Sequence, residues 1–260
     1  MAMRIRTTIV LGLIVAFASA LAASPAMAAQ ELDWRFEVSL DDRKIGYHSF
    51  SLEQRAGRQI LETEARFDVK LLFITAFKYR HSNTEVWDDG CIESMDARTR
   101  TNGKVLEVTA ERNAQMLEVS STNGKAELGA CVQSFAYWNP RILEAERLLN
   151  SQTGEYESVS VTQEGSDIVD VNGRALDAVR YTLATKAGEI KLWYSKDSEY
   201  WLALEAPAKG GRTIRYTPVA VPEQPLVQAA ASVRIKLEPW RRCLRSGSMG
   251  AARSAPGRLA

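Results

Sequence analysis

The stretch FKYRHSNTEVWDDGC, residues Phe77–Cys91, alternates in side-chain character at every position until it reaches Asp89-Gly90. An alternation with a period of two is typical of a β-strand that buries one face. Asp-Gly then favours a tight hairpin, because glycine accepts the positive φ that the turn requires. The face that we predict to point inward combines aromatic rings with an imidazole, an amide and a carboxylate: Phe77, Tyr79, His81, Asn83, Glu85 and Trp87.

The segments on either side of this strand repeat its pattern of short alternating runs and polar turns. The tetrapeptide TNGK occurs at residues 101–104 and again at 122–125, with two strand-length runs between them, and Asn172-Gly173 provides a further turn. Asn-Gly between alternating runs is a strong signal for a hairpin. We therefore predict an all-β, mainly antiparallel fold, either a curved sheet or an open, incomplete β-barrel of about 11–12 strands.

One segment departs from this pattern, and we predict a single helix near residues 140–150. Asn139 suits an N-cap, and Pro140 suits the first helical position, which needs no free N–H group. The apolar residues that follow recur at helical spacing: Ile142, Ala145, Leu148 and Leu149. We expect this stripe to pack on the sheet, because an amphipathic helix buries its apolar face.

The N-terminus has the layout of a secretory signal peptide. Arg4 and Arg6 precede an apolar run over residues 9–21, and Ala26-Met27-Ala28 supplies the small residues that signal peptidase accepts. We predict cleavage after Ala28, which removes residues 1–28. No cysteine lies near this site, so the Sec-type signal lacks a lipobox, and we expect no transmembrane segment in the mature chain. The predicted location is periplasmic or secreted.

The charge is divided unevenly along the chain. Residues 29–217 contain 24 basic and 30 acidic residues, whereas residues 218–260 contain 7 basic and 2 acidic ones. An acidic body argues against a nucleic-acid partner, because phosphate binding needs clustered cations. We interpret residues 29–217 as a single β-rich domain and residues 218–260 as a disordered basic tail, which is either an appendage without a folded role or a contact for anionic lipid.

Three cysteines are present in the sequence: Cys91, Cys131 and Cys243. In an exported protein a pair of cysteines is interpreted first as a disulfide. Cys91 and Cys131 both lie in the predicted domain, and they are the candidate pair. Two separate buried thiols are the alternative, since the sequence does not fix the distance between the two Cα atoms.

The inward face of the Phe77–Cys91 strand is the candidate ligand-binding surface. Small-molecule sites usually combine aromatic residues with a few polar groups, as Phe77, Tyr79, His81, Glu85 and Trp87 do. His81 and Glu85 are about 13 Å apart along an extended strand, so they do not form a catalytic dyad by themselves. A polar patch inside the core, with each group bonded to cross-strand neighbours, is the alternative interpretation.

Catalytic and cofactor motifs do not emerge from the sequence. His48 could approach His81 and Glu85 from an adjacent strand, but two histidines and one acid of unknown geometry do not amount to a metal-site pattern. We therefore expect no metal, no cofactor and no assigned catalytic residue. The apolar run LLFITAF, residues 71–77, predicts either a strand buried on both faces or a segment that touches lipid.

Several motifs together resemble an uncharacterised exported bacterial family, the domain of unknown function 6134. They are the YxHxxxExW spacing of Tyr79–Trp87, Asp89-Gly90-Cys91, the TNGK turn, Trp138-Asn139-Pro140 and Leu192-Trp193-Tyr194. The resemblance covers about residues 32–217 and omits the basic tail. It implies export and a β-fold, and it transfers no catalytic residue.

These observations lead to three hypotheses about function. The first is an exported β-protein whose curved sheet binds an apolar or amphipathic, lipid-like ligand, or that supports envelope maintenance. The second is a hydrolase of an envelope lipid or glycan. The third is a structural module that binds another protein along a sheet edge. The sequence favours a protein that is not an enzyme, and it does not determine the oligomeric state.

Overall fold

The computed structural model describes residues 30–71, 74–113 and 115–223, and within them the chain forms fifteen strands. Their bounds are β1 Gln30–Leu40, β2 Arg43–Arg55, β3 Arg58–Leu71, β4 Ile74–Asp88, β5 Cys91–Thr101, β6 Lys104–Arg112, β7 Met116–Ser121, β8 Gly124–Gly129, β9 Arg147–Leu149, β10 Tyr156–Ser158, β11 Ser160–Val171, β12 Arg174–Thr185, β13 Gly188–Ser195, β14 Trp201–Ala208 and β15 Arg212–Ala220.

Thirteen of these strands form one antiparallel sheet that does not close. Their order is β11-β12-β13-β14-β15-β1-β2-β3-β4-β5-β6-β7-β8, and β9 and β10 form a separate two-stranded sheet. Every neighbouring pair follows directly along the chain except β15 and β1, which join the two halves in the middle. The prediction of an all-β, mainly antiparallel, open architecture is confirmed.

The sheet curls around one main hydrophobic core. Trp34 and Trp87 from one half of the sheet belong to the same buried cluster as Leu192 and Trp201 from the other half. Residues from both halves can share a core only if the two halves bend towards each other. Phe50 of β2 and Trp201 of β14 are an example, because two strands lie between them in the sheet and yet their ring centroids are 5.2 Å apart. The curvature follows from the right-handed twist of β-strands, which accumulates across many strands.

The two TNGK segments form hairpins that differ by one residue in register. In the first, Thr101 pairs with Lys104, so Asn102 and Gly103 form the turn, and both have positive φ. In the second, Ser121 pairs with Gly124, and of its tetrapeptide only Gly124 has a positive φ. Asn123 is instead held by the hydrogen bond that its side-chain amide donates to the Thr153 carbonyl. Identical sequence thus gives different turns because the tertiary partners differ.

The predicted helix near residues 140–150 is wrong. Residues Pro140–Glu144 form one 3-10 turn, capped by the Asn139 side chain, which accepts a hydrogen bond from the Arg141 N–H group. The chain then enters strand β9, where the Leu149 N–H group bonds to the Gln133 carbonyl at 2.8 Å. Neighbouring extended segments therefore satisfy the backbone groups that a helix would have paired internally.

The strand bounds also differ from the prediction in three places. Strands β8 and β9 were absent from the predicted set. The sequence indicated strands at residues 156–163 and 167–171; the first divides between β10 and the start of β11. Strand β11 then continues through the second, because Gly165 lies at a register shift that lets the pairing with β12 continue. Strand β15 continues to Ala220, beyond the predicted domain end at residue 217.

Several sequence predictions lie outside the described residues. These are the signal peptide at residues 1–28 with its cleavage site after Ala28, and the tail from residue 224 onward. Most of the apolar run at residues 71–77 also lies outside the part of the chain whose side chains are described. Within residues 30–71, 74–113 and 115–223, the structure contains no helix long and apolar enough to cross a membrane.

Candidate ligand-binding site

The structure places the predicted inward face of β4 on the inside of the curved sheet. His81, Glu85 and Trp87 are buried, at 5%, 2% and 1% exposure, and Asn83 is buried beside them. Phe77 and Tyr79 are only half-buried. The strand therefore passes from a sealed interior at its C-terminal end to a more open environment near its N-terminal end.

Glu85 is a buried carboxyl group with a full set of hydrogen-bond donors. It accepts from Asn83 Nδ2 at 2.9 Å, from Trp87 Nε1 at 2.9 Å and from Ser134 Oγ at 2.9 and 3.1 Å. Burial raises the pKa of Glu85, and the three donors partly oppose that shift by stabilising the carboxylate. The Glu85 carboxyl group therefore forms its hydrogen bonds within the protein, as expected for a polar patch within a core.

His81 is buried and His48 is half-buried, and each has its own partner. His81 Nδ1 lies 2.8 Å from Thr99 Oγ1, and His48 Nδ1 lies 3.1 Å from Tyr216 Oη. Burial lowers the pKa of His81 to about 4, because a desolvated imidazole resists gaining charge. The pKa of His48 is also lowered, first by burial and then by the proximity of His81. Both rings are therefore neutral near pH 7.

His48, His81 and Glu85 do not converge on a common point. Ala65 separates the two histidines in the register of β2, β3 and β4, and Glu85 bonds to groups elsewhere on the inward face. Among the described residues, no group of three or more His, Cys, Asp or Glu side chains could hold a metal ion. The cluster is best described as a hydrogen-bonded polar layer within the core.

The segment 131–158, which we call the strap, covers this part of the inward face. Ser134 bonds to Glu85, and Trp138 packs edge-on against Trp87 with ring centroids 5.7 Å apart. Tyr137 lies 5.3 Å from the Trp201 ring. Because the strap contacts Glu85 and Trp87, their roles as ligand contacts stay a prediction that would require the strap to move. The role of the buried His81 also stays a prediction.

The predicted disulfide is present and fixes the start of the strap. Cys91 and Cys131 are bonded, with their Cα atoms 4.9 Å apart. A backbone hydrogen bond joins the residues that follow the two cysteines: the Ile92 N–H group donates to the Val132 carbonyl at 2.9 Å. The strap is thus attached to the sheet at the hairpin that ends β4.

A pocket of about 860 Å³ lies at the opposite end of the sheet, and we call it the mouth. The residues that line it come from β1, β2, β3 and β15 and from the turn after β1: Leu40, Asp41, Arg43, Lys44, Ile45, Gly46, Asp68, Val69, Lys70 and Arg212. Its volume falls in the range usual for small-molecule sites, about 300–1,000 Å³. Tyr79 and Phe77, the half-buried residues of β4, belong to this end.

The floor of the mouth is apolar and packs on a cluster that contains two stacked aromatic rings. Leu40, Ile45 and Val69 belong to a small hydrophobic cluster in which Phe67 stacks on Tyr79, with centroids 5.0 Å apart and an interplanar angle of 10°. An apolar ligand entering here would meet side chains that are already packed. The site is therefore preformed at its base.

Gly46 is required for the close approach of β2 and β3 in this wall. A Cβ atom at this position would lie 1.8 Å from the Arg66 carbonyl oxygen, which no side chain can tolerate. The register of the neighbouring β1 strand also shifts between Val38 and Ser39, opposite Gly46. This glycine and the bulge together shape the mouth.

The sequence did not reveal the mouth as a site. Its residues are separated by up to 172 positions in the sequence, and only the pairing of β1 with β15 brings the first and last turns together. Asp41 marks the junction, since its N–H group donates to the Thr213 carbonyl and its carboxylate accepts from the Thr213 N–H group. The one available signal was the polar turn at residues 41–44, which carries adjacent cations.

A second pocket, of about 770 Å³, lies along β4–β8 and has a different character. Many of its lining residues carry carboxylates or hydroxyls, including Asp96, Glu111 and Glu118. It lacks the aromatic base found at the mouth. Of the two, the mouth combines an apolar floor with a charged rim, which is the composition that suits an amphipathic molecule.

Taken together, the fold and this site define a β-barrel-like protein with an open sheet and a pocket at one end. The chain belongs to the family described as "Domain of unknown function (DUF6134)", whose model matches residues 36–219. A similar solved structure is the crystal structure of a β-barrel-like protein of domain of unknown function DUF1849 from Brucella abortus. It is 11% identical, covers 74% of this chain and 95% of its own, and has a TM-score of 0.53.

The likeness to the Brucella abortus protein concerns the fold alone. Among the curated proteins, none matches this sequence. The resemblance inferred from the sequence motifs is confirmed, and the comparisons leave the activity open. The function must therefore be argued from the geometry of this chain.

Proposed function

We propose that the protein is an exported periplasmic β-protein that binds an apolar or amphipathic, lipid-like ligand at its mouth, in support of envelope maintenance. The observation that carries the proposal is the pocket of about 860 Å³ with a packed apolar floor and a charged rim. Sites for small molecules are concave and mostly apolar, with a few placed polar groups. Export rests on the signal-like N-terminus, and the disulfide supports an oxidising compartment.

A matched pair of valine substitutions tests binding at the mouth. Val69 is half-buried and lines the pocket, whereas Val86 is half-buried on the outward face of β4. Val69→Asp places a charge on the apolar floor, and we expect it to weaken binding of the neutral fluorophore N-phenyl-1-naphthylamine at least tenfold. Val86→Asp should leave binding unchanged. Equal affinity in the two variants, or no binding by the wild type, would count against the proposal.

The proposed location has its own test. Fractionation of cells that produce the full chain should recover the protein with the periplasmic contents, and its N-terminal residue should be Ala29. Recovery in the cytoplasm with an intact N-terminus would contradict export without affecting the argument about the pocket.

A structural interaction module remains the second candidate, because β8 and β11 each pair with only one strand among the described residues. Strand β8, Gly124–Gly129, is exposed along most of its length, and β11 ends the other half. An exposed edge can accept a strand from another chain. Protection of the β8 amides from hydrogen exchange on adding an envelope extract, with no change at the mouth, would favour this candidate over ligand binding.

A further inference from the structure

The rim of the mouth carries more positive than negative charge, although the domain as a whole is acidic. Four of the lining residues are cations, Arg43, Lys44, Lys70 and Arg212, and two are acids, Asp41 and Asp68. Residues 29–217 in contrast contain 24 basic and 30 acidic residues. A local excess of one sign in a cleft with apolar walls concentrates the field and attracts ions of opposite charge.

Both acids at the rim are already engaged. Arg80 donates to Asp68 at 2.7 and 3.0 Å and holds the pKa of that carboxyl below its ordinary value. The Asp41 carboxylate accepts from the Thr213 N–H group at 3.0 Å, which ties it to the backbone of β15. Each carboxylate is therefore held first by a group other than the four cations of the rim, although the charge of Lys70 also contributes to lowering the pKa of Asp68.

Three of the four cations lack an acidic partner among the described residues. Lys44 pairs with Glu37. Arg43 and Lys70 form no ion pair with a described residue, and Arg212 donates only to the Lys209 carbonyl, at 3.3 Å. All three are exposed at the edge of the pocket. Guanidinium groups offer several donors in a planar fork that matches phosphate and carboxylate oxygens.

We infer that the ligand is an amphiphile with an anionic head group, whose chain lies on Leu40, Ile45 and Val69 and whose head is held by Arg43, Lys70 and Arg212. This inference rests on the proposed function, because it assigns the chemistry of the head to the same pocket. A single-chain molecule with a phosphate or carboxylate head fits both parts of the site. The apolar floor excludes a free inorganic anion as the whole ligand.

Three dodecyl amphiphiles with different heads test the assignment. Dodecyl phosphate, dodecyl maltoside and dodecyltrimethylammonium are titrated into the full chain by calorimetry, below their micelle concentrations and at low ionic strength. We expect the phosphate to bind at least tenfold more tightly than the maltoside and the cation to bind most weakly. The preference should shrink at 0.3 M salt, since screening acts over about 6 Å at that ionic strength.

Paired arginine substitutions locate the preference. Arg43→Ala with Arg212→Ala should bring the phosphate and maltoside affinities within about threefold of each other and leave the maltoside affinity unchanged. The matched control is Arg98→Ala with Arg100→Ala, which removes the same charge from the outward face of β5 and should keep the preference. Inorganic phosphate at the same concentration should not displace the amphiphile.

The outcomes separate the two proposals. Equal binding of all three amphiphiles would overturn the anionic head group and leave the proposed function intact. Retention of the preference in the Arg43 and Arg212 variant would overturn the assigned residues. Binding of inorganic phosphate as tight as that of dodecyl phosphate would overturn the amphiphile. Failure of every amphiphile to bind would overturn both the inference and the function on which it rests.

Discussion

At the scale of single residues, the polar groups around Glu85 and His81 find hydrogen-bond partners within β4, on the neighbouring strand β5 or in the strap. Glu85 has three donors, and His81 has Thr99. Such groups add specificity to a core, because an unpaired polar group there costs more than a paired one gains. Two predictions belong to this scale.

Ser134→Ala should destabilise the protein by about 1–3 kcal/mol, because it removes a donor from a buried carboxyl group. Ser134 is 2% exposed, and its hydroxyl bonds to both Glu85 oxygens. Ser82→Ala is the control, since Ser82 is exposed on the outward face of β4. Chemical denaturation of both variants measures the effect, and equal stability of the two would show that the Glu85–Ser134 contact contributes nothing.

His81 should make the free energy of unfolding decrease as the pH falls from about 6.5 to about 4. The folded pKa is about 4, below the ordinary value of 6.5, so in this window the unfolded chain binds more protons than the folded chain. Acid therefore favours unfolding, by about 3 kcal/mol over the window for this group alone.

His81→Asn isolates this contribution, because its amide can still bond to Thr99 and does not titrate. The stability of wild type and variant should converge or cross as the pH is lowered from 7 to 4, since only the wild type carries the His81 penalty. Glu85 contributes with the opposite sign in both proteins, because its pKa is raised and its stabilisation is lost as the pH rises. Parallel stability curves over this range would show that His81 does not titrate as described.

At the scale of elements, turns and cross-links determine how the strands meet. The repeated TNGK sequence shows that turn chemistry fixes the presence of a hairpin, whereas partners outside the tetrapeptide fix its register. The strap shows the same dependence on its surroundings, because its helix-like sequence forms a 3-10 turn and a strand.

Asn102→Ala should destabilise the protein more than Asn123→Ala, by about 1 kcal/mol. Asn102 has a φ of 49°, which alanine adopts at a cost, and its side chain accepts from the Lys78 N–H group at 2.7 Å. Asn123 has no positive φ and donates one exposed bond to the Thr153 carbonyl. Thermal unfolding compares the two within one sequence context, and a larger loss for Asn123→Ala would contradict the assigned turns.

Removing the disulfide should lower stability by about 2–4 kcal/mol. Cys91 and Cys131 are 40 residues apart, and a cross-link over such a loop restricts the unfolded chain. The double variant Cys91→Ala, Cys131→Ala is compared with the oxidised parent protein. Both proteins also carry Cys243→Ala, so that neither has a free thiol. Unchanged stability would show that the backbone contacts of the strap hold it without the bond.

At the scale of the whole molecule, periodicity predicted the architecture, but it did not indicate the pocket at the mouth. The alternation of Phe77–Cys91 gave the correct inward face, and Asp-Gly and Asn-Gly gave the hairpins at residues 89–90, 102–103 and 172–173, because these signals are local. The mouth depends on the pairing of β1 with β15, which joins residues far apart in the sequence. Arg43 and Arg212 carry no mark of their proximity, so no local pattern could have joined them.

The pairing of strands that are far apart in the sequence also explains why the sequence analysis singled out the inward face around His81 and Glu85 and not the mouth. His81 and Glu85 looked like ligand groups because their neighbours in space were unknown. The strap, of which the sequence predicted residues 140–150 as a helix, supplies Ser134 to Glu85 and packs against Trp87. The open end of the same strand, at Phe77 and Tyr79, is where the chain leaves room for a ligand.

Methyl NMR spectroscopy of the full chain titrated with dodecyl phosphate tests the central claim most directly. The account predicts shifts concentrated at the methyl groups of Leu40, Ile45, Val69 and Ile214, with the core methyl groups of Val108, Leu117 and Val169 unaffected. Shifts confined to the strands at the free edges, or an absence of shifts at the mouth at saturating ligand, would contradict it.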